Sequence, residues 1–289
     1  MPDKTPPPNP EQTTVEIGRK NLLRVVKRVD FGFYLDGDDL GEILIPMRYV
    51  PNDCTIGETI EVFIYLDSED RIIATSEMPY AEVGTCAHLK VVEMGNFGAF
   101  LDWGLPKDLL VPFKEQRVPM QAGRSYTVFL FLDVTGRIAA SSKLNAFLTE
   151  ENKATFAHHQ EVDLQIAIRS ELGYKAVING THLGIIHSNE IFQPIHVGDQ
   201  VKGYIKNIRA DDRINLTLQR PGLEIRDSLS QKILDYLKSE GGSSTLTDKS
   251  PPEAIYNEFG VSKANYKKAL GKLYKEKQII LEKDIIKLP

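Results

Sequence analysis

The sequence predicts a mainly β chain that ends in an α/β module, and three observations carry that prediction. A Phe-Gly-x-aromatic stretch occurs twice, sixty-six positions apart, as Phe31-Gly32-Phe33-Tyr34 and Phe97-Gly98-Ala99-Phe100. Short apolar runs bounded by turn signals surround each copy. Beyond Arg220-Pro221-Gly222 the composition shifts to helix formers with apolar residues at helical spacing.

The offset extends well past the aromatic pair. Pro46 maps onto Pro112, Asp67 onto Asp133, and Arg71-Ile72 onto Arg137-Ile138. A third, more diverged copy follows at seventy-five to seventy-six positions, with Leu172-Gly173-Tyr174, Ile185-Ile186-His187 and Arg213-Ile214-Asn215-Leu216 in the corresponding places. In the first copy the pattern predicts strands over 21–29, 33–35, 42–46, 59–66 and 71–75. Turn signals such as Asp36-Gly37-Asp38 and Ser68-Glu69-Asp70 join them. Five strands in so short a span suit a closed or nearly closed Greek-key barrel of the OB type. The expected organisation is a Pro-rich tail over 1–14, barrels over 15–79 and 80–144, a linker over 145–160, a third barrel over 161–222, and a helical domain over 223–289.

Bulk properties narrow the function. The chain has 289 residues, 42% of them hydrophobic and 26% charged, with a net charge of −5. That balance fits a globular protein and argues against one that is basic throughout and wraps nucleic acid by charge alone. Five prolines in the first fourteen residues predict a disordered, partly polyproline tail. Cys54 and Cys86 fall in different repeat units, so neither a disulfide framework nor a four-cysteine zinc site is expected. No apolar run approaches the roughly 20 residues of a membrane span, and no secretory signal precedes the first unit, so the expectation is a cytoplasmic protein without membrane contact. His158-His159 followed by Glu161 does not converge as metal ligands should, and no metal or other cofactor is expected. Nucleotide-binding, zinc-protease and serine-hydrolase motifs are all missing, so the chain does not read as an enzyme.

The repeat units carry a resemblance. The Phe-Gly-x-Phe stretch, the Gly184-Ile185-Ile186-His187-Ser188 step, Val197-Gly198-Asp199-Gln200-Val201 and Arg213-Ile214-Asn215-Leu216 together resemble the S1 RNA-binding domain, an OB-fold variant. No copy has every feature: Pro46 and Pro112 stand where the third has His187, and Leu172 and Lys175 stand where the others have aromatics. Exposed aromatics on such a sheet stack on unpaired bases for roughly 1–3 kcal/mol per base. On this basis the RNA-binding candidates are Phe31, Tyr34, Phe97, Phe100 and Tyr174, with Arg24, Lys90 and Arg213 as phosphate contacts. Positions three apart face opposite sides of a regular strand, so Phe97 and Phe100 are expected to share a face through a bulge at Gly98, and Phe31 and Tyr34 through one at Gly32. One member of each pair filling the barrel core is the competing expectation. For Arg71, Arg137 and Arg213 a turn-anchoring ion pair competes with phosphate contact. His187 becomes a base contact through the resemblance, against a packed histidine bonded to backbone.

In the connector 145–160, Thr149-Glu150-Glu151 predicts a short helix or capped turn. In the last segment, apolar Leu229, Ile233, Tyr236 and Leu237 share one helical face, with Gly241-Gly242 as the stop. A second helix opens at Pro251-Pro252, a third is capped by Ser262 and runs over 263–276, and 279–287 forms a short hairpin. This is a winged helix-turn-helix plan, whose third helix often enters a nucleic-acid groove. The segment has a small positive excess while the remainder is net negative. Lys263, Lys267 and Lys268 are its candidate nucleic-acid contacts, and they admit DNA as well as RNA.

Three tandem S1-like OB-fold barrels followed by a winged helix resemble the bacterial conserved virulence factor B family of RNA-binding regulators. The resemblance implies single-stranded RNA as partner and a role in post-transcriptional control of gene expression. A protein-interaction adaptor docking on a larger transcription or translation machine is the alternative.

Overall fold

The computed structural model describes residues 14–191, 194–219 and 223–289. Apart from Thr14, the Pro-rich tail lies outside the described residues, and so does the Arg220-Pro221-Gly222 boundary. The chain divides into two compact units, Met1–Leu144 and Asn145–Pro289.

The first unit holds two five-stranded barrels. In the first, β1 (Lys20–Val29), β2 (Gly32–Asp36), β3 (Glu42–Pro46), β4 (Thr59–Leu66) and β5 (Ile72–Thr75) close in the order β1-β2-β3-β5-β4, the OB arrangement. The second repeats it with β6 (Cys86–Met94), β7 (Gly98–Asp102), β8 (Leu109–Pro112), β9 (Ser125–Leu132) and β10 (Ile138–Ser141), ordered β10-β9-β6-β7-β8. Here β8 and β10 lie side by side without the parallel backbone pairing that joins Leu44 to Ile73 in the first. Alternation along the strands explains both barrels: Leu23, Val25, Phe33 and Leu35 point inward and are buried, whereas Leu22 and Arg24 face out.

In the second unit, β11 (Glu161–Ser170), β12 (Gly173–Ile178), β13 (His182–His187), β14 (Gln200–Ile208) and β15 (Ile214–Thr217) close a third barrel in the same order. The winged-helix domain follows with α1 (Leu223–Ser239), β16 (Ser243–Ser244), α2 (Pro252–Phe259), α3 (Lys263–Lys275), β17 (Ile280–Leu281) and β18 (Ile286–Lys287). Its helices bury Leu229, Ile233, Ile255, Phe259, Tyr266 and Leu270 together. Ser262 caps α3 by accepting from the Asn265 N–H at 3.1 Å. The wing has three short strands, because β16 joins the expected hairpin at β18.

Two expectations are corrected. The bulges lie on the neighbouring strands: register slips between Val25 and Lys27 in β1, between Val91 and Glu93 in β6, and between Ile166 and Ile168 in β11. Glycine recurs at 32, 98 and 173 for a different reason. These residues pair with Pro46, Pro112 and His187, and a Cβ on any of them would collide with a carbonyl oxygen of the facing strand, that of Ile45, Val111 or Ile186.

The connector 145–160 takes the capped turn of its two expected forms and not an α-helix, with the Thr149 hydroxyl accepting from the Glu151 N–H at 3.1 Å, and it is laid across the third barrel. Thr149 bridges to His182 and Glu151 to Arg213, while the Asn152 N–H donates to the Asp212 carbonyl at 2.8 Å. Phe156 is buried in that barrel's core, edge-on to the His182 ring with centroids 4.9 Å apart.

Candidate nucleic-acid interface

Each Phe-Gly stretch splits its two aromatics between two environments. Phe31 and Phe97 lie in the turns before β2 and β7 and are 59% and 75% exposed. Tyr34 and Phe100 sit two residues into the strands, half-buried on the outer face of each sheet. The aromatic that fills the core is the residue between them, Phe33, whose place Ala99 takes in the second barrel. Both halves of each pair thus remain outside the barrel. A strand turn achieves this, since Phe31 and Phe97 precede the regular alternation.

The barrel ends add a residue the sequence reading missed. Phe113, just after β8, is 54% exposed, and its N–H donates to the Phe97 carbonyl at 3.1 Å. The first barrel has Met47 there, bonded likewise to Phe31, and the third has Ser188, bonded to Leu172. The offset pairs Phe113 with Met47, but only the backbone bond reveals that this position adjoins the Phe-Gly turn.

The faces beside the aromatics differ in charge. In the first barrel the Lys27 ammonium lies over the Tyr34 ring at 5.2 Å, and Arg24 is exposed on the same strand. In the second, Glu93 pairs with Phe100 where Lys27 paired with Tyr34, and exposed Lys90 pairs with Asp102. Burial, then the Asp102 and Glu93 carboxylates, push the Asp108 carboxyl above its usual range.

A cleft of about 560 Å³ opens on this face of the second barrel. Tyr65, Phe100, Trp103 and Phe131 line it, and its three cations, Lys107, Lys114 and Arg137, share the lining with the carboxylates of Asp70, Glu93, Asp108 and Asp133. It lies against β7, β8 and the β9–β10 turn, the part of an OB barrel that binds oligonucleotides. The corresponding face of the first barrel is filled. Phe63 and Tyr65, at the positions of Phe129 and Phe131, are buried in a shared core with Trp103 and Leu105 of the second barrel. Burial pushes the Tyr65 hydroxyl up to about 12.

The three hairpin arginines have three fates. Arg71 returns to its own turn, with Nε and Nη2 2.9 and 2.8 Å from Asp67 Oδ2. Arg137 reaches across to Asp70 of the first barrel at 2.5 Å. Arg213 pairs with Glu150 at 3.6 Å and Asp211 at 3.9 Å.

On the third barrel the aromatics are replaced by a polar chain. His187 Nε2 is 3.2 Å from Asn215 Oδ1, and Asn215 Nδ2 donates to Asn207 Oδ1 at 3.1 Å, so the histidine's partner is a side chain and not backbone. Tyr174 stands at the position of core residue Phe33 and packs against that barrel's interior. Lys175, at the position of Tyr34, donates to Glu150 at 2.5 Å.

In the winged domain, Lys263 is half-buried at the start of α3 and lines a groove with Tyr256, Glu253 and Glu190. Lys267 lies 3.6 Å from Asp248, and Lys268 is exposed. Lys263 and Lys267, four residues apart, share a side of the helix, while Lys268 lies farther round.

Barrels of OB order with exposed aromatics, followed by a winged helix, define a chain assembled from nucleic-acid-binding kinds of domain. Residues 17–77 and 83–143 match the S1 domain family, and residues 231–288 match the CvfB-like winged helix domain. The protein YitL of Bacillus subtilis is 29% identical over 290 residues, covering 95% of this chain and 94% of the relative. Conserved virulence factor B of Staphylococcus aureus (strain N315) is 29% identical over 284 residues, covering 92% of each. A crystal structure of a Streptococcus pneumoniae multidomain protein with nucleic acid binding domains covers 94% of this chain and 98% of that one, at 24% identity and a TM-score of 0.40. The resemblance to the conserved virulence factor B family is thus borne out. The chain carries S1 domains and a CvfB-like winged helix domain, and is similar over most of its length to proteins of that name. Among the described residues no helix is long and apolar enough to cross a membrane.

Proposed function

We propose that this protein is a non-enzymatic binder of single-stranded RNA that acts in post-transcriptional regulation. The observation that carries the reading is the second barrel's cleft, where Phe100 and Phe131 lie beside Lys107, Lys114 and Arg137. Aromatic faces stack on bases without reading their sequence, and the cations take the phosphates, which makes affinity salt-dependent. The exposed rings of Phe97 and Phe113 extend this surface to the barrel end. The first barrel contributes exposed Phe31 and Arg24, with half-buried Tyr34 beside Lys27. The CvfB-like winged helix, with Lys267 and Lys268 exposed on α3, supplies a second contact.

Filter binding to unstructured RNA and to DNA of the same sequence tests this. Replacing Phe97 and Phe100 together by alanine is expected to weaken RNA binding at least tenfold, since stacking contributes roughly 1–3 kcal/mol per base. Unchanged affinity with an intact circular dichroism spectrum would sink the stacking site. Equal or tighter binding of DNA would overturn the RNA assignment. A protein partner that survives nuclease treatment, with no RNA retained on purification, would favour the adaptor reading.

A further inference from the structure

We propose that Arg137 and Lys107 form the phosphate subsite of the second barrel's cleft, and that the Asp70 carboxylate of the first barrel occupies it as an internal stand-in for a nucleic-acid phosphate. The proposal rests on the RNA-binding reading above and specifies one of its subsites.

Asp70 lies at the tip of the β4–β5 turn, and its ion pairs are with two cations of the second barrel. Its Oδ2 meets Arg137 Nη2 at 2.5 Å, and its Oδ1 lies 3.5 Å from Lys107 Nζ. That ammonium also donates to the Asp67 carbonyl at 2.5 Å, which holds it at the junction. Asp70, Lys107 and Arg137 all line the cleft that contains Phe100. A guanidinium and an ammonium converging on one carboxylate are the donor set a phosphodiester oxygen pair would take.

Two comparisons between the repeats show that this arrangement is specific. Arg71 is consumed within its own turn by Asp67. In the second barrel the Thr135 hydroxyl donates to Asp133 Oδ1 at 2.6 Å, while Arg137 meets that carboxylate only through its backbone N–H at 3.1 Å, so its guanidinium extends outward. Asp70 has φ +60, the left-handed conformation that Gly136 adopts at the equivalent turn of the second barrel with φ +78. Glycine meets that backbone demand without strain. The first barrel carries aspartate there, and its side chain is what reaches the neighbour's cations.

The ion pair is also displaceable. The side chains of Arg137, Asp70 and Lys107 are 58%, 41% and 42% exposed, and pairs so open to water are weak and salt-screened. A phosphate drawn in by base stacking on Phe100 therefore competes with Asp70 on near-equal terms. Binding in the cleft frees the β4–β5 turn from the second barrel's cations.

The test is fluorescence anisotropy of a labelled unstructured RNA on the full chain, across a salt series. Asp70→Gly, which places the second barrel's own residue in this turn, and Asp70→Asn are expected to tighten binding about fivefold. They are also expected to steepen the salt dependence by about 0.7 in slope, one single-strand phosphate contact. Glu61→Gln, the same charge change on an exposed position of β4, is expected to change affinity less than twofold. In an Arg137→Ala background the gain from Asp70→Asn is expected to fall below twofold. Unchanged or weaker binding by both Asp70 variants, or an equal gain from Glu61→Gln, would overturn the subsite. Wild-type protein that binds no RNA at any salt would instead overturn the RNA-binding reading itself.

Discussion

Phe63 of the first barrel and Trp103 of the second meet edge to face, with ring centroids 5.7 Å apart and planes at 77°. This pair lies in the core shared by the two barrels, and Trp103 also lines the cleft. Trp103 is 3% exposed, its indole N–H donates to the Lys107 carbonyl at 2.7 Å, and it is the chain's single tryptophan. Trp103→Ala is expected to destabilise the first unit by about 3–5 kcal/mol, the range for deleting a large buried aromatic. Urea unfolding followed by circular dichroism reads the loss. The native tryptophan emission is expected to be blue-shifted and to move to the red in the same transition that melts the junction.

Gly98 is expected to be intolerant of any side chain. A Cβ would meet the Val111 carbonyl oxygen and the Pro112 Cα, both backbone atoms that no rotamer change can move. Gly98→Ala should lower stability by about 1–3 kcal/mol through strain in the β7–β8 pair. Gly123→Ala, whose added Cβ meets open space but whose φ is +81, should cost less, about 1 kcal/mol. A comparison of their denaturation midpoints checks the order.

Stability is expected to fall in acid through three named carboxylates. Burial would raise Asp67, but the backbone and side-chain bonds of Arg71 outweigh it and hold the group below its ordinary value. The Thr135 hydroxyl chiefly holds Asp133 low. Burial opposes ionisation of Glu150 as well, and the bonds from Lys175 and Asn145 overcome it. A folded-state pKa below the unfolded one gives stability that is complete above about pH 4 to 4.5 and is lost as pH falls through the folded value. Urea midpoints measured from pH 6 to pH 3 should decline below pH 4.5. Glu150→Gln should flatten the decline in the second unit and lower its stability at pH 7 by about 1 kcal/mol.

Neither thiol is expected to be reactive. Burial pushes Cys86 up to about 12, and burial together with Glu58 raises Cys54. Since the thiolate is the nucleophile, labelling of Cys86 by a disulfide reagent at pH 7.5 should be at least tenfold slower in the native protein than in urea, and labelling of Cys54 slower to a smaller extent. Two rapidly labelled thiols in the native state would contradict this.

The repeat offset, the turn residues and strand alternation were sufficient by themselves to determine three barrels and a winged helix. Each is a local pattern that its own segment must satisfy to bury an apolar face. The positions of the outer aromatics were partly legible for the same reason, since Phe31, Tyr34, Phe97 and Phe100 follow from the place of each Phe-Gly turn. The reason for the glycines was not, because the colliding carbonyl belongs to a strand thirteen residues farther on. Only the tertiary structure decided which Phe-Gly face stays open. Tyr65 and Phe131 occupy equivalent positions, yet Tyr65 is buried in the core shared by the two barrels while Phe131 stays half-buried, and both border the cleft. It likewise decided that equivalent arginines take unlike partners, Asp67 for Arg71 and Asp70 for Arg137. Such choices depend on which repeat packs against which, a relation between distant segments that no period within the sequence encodes.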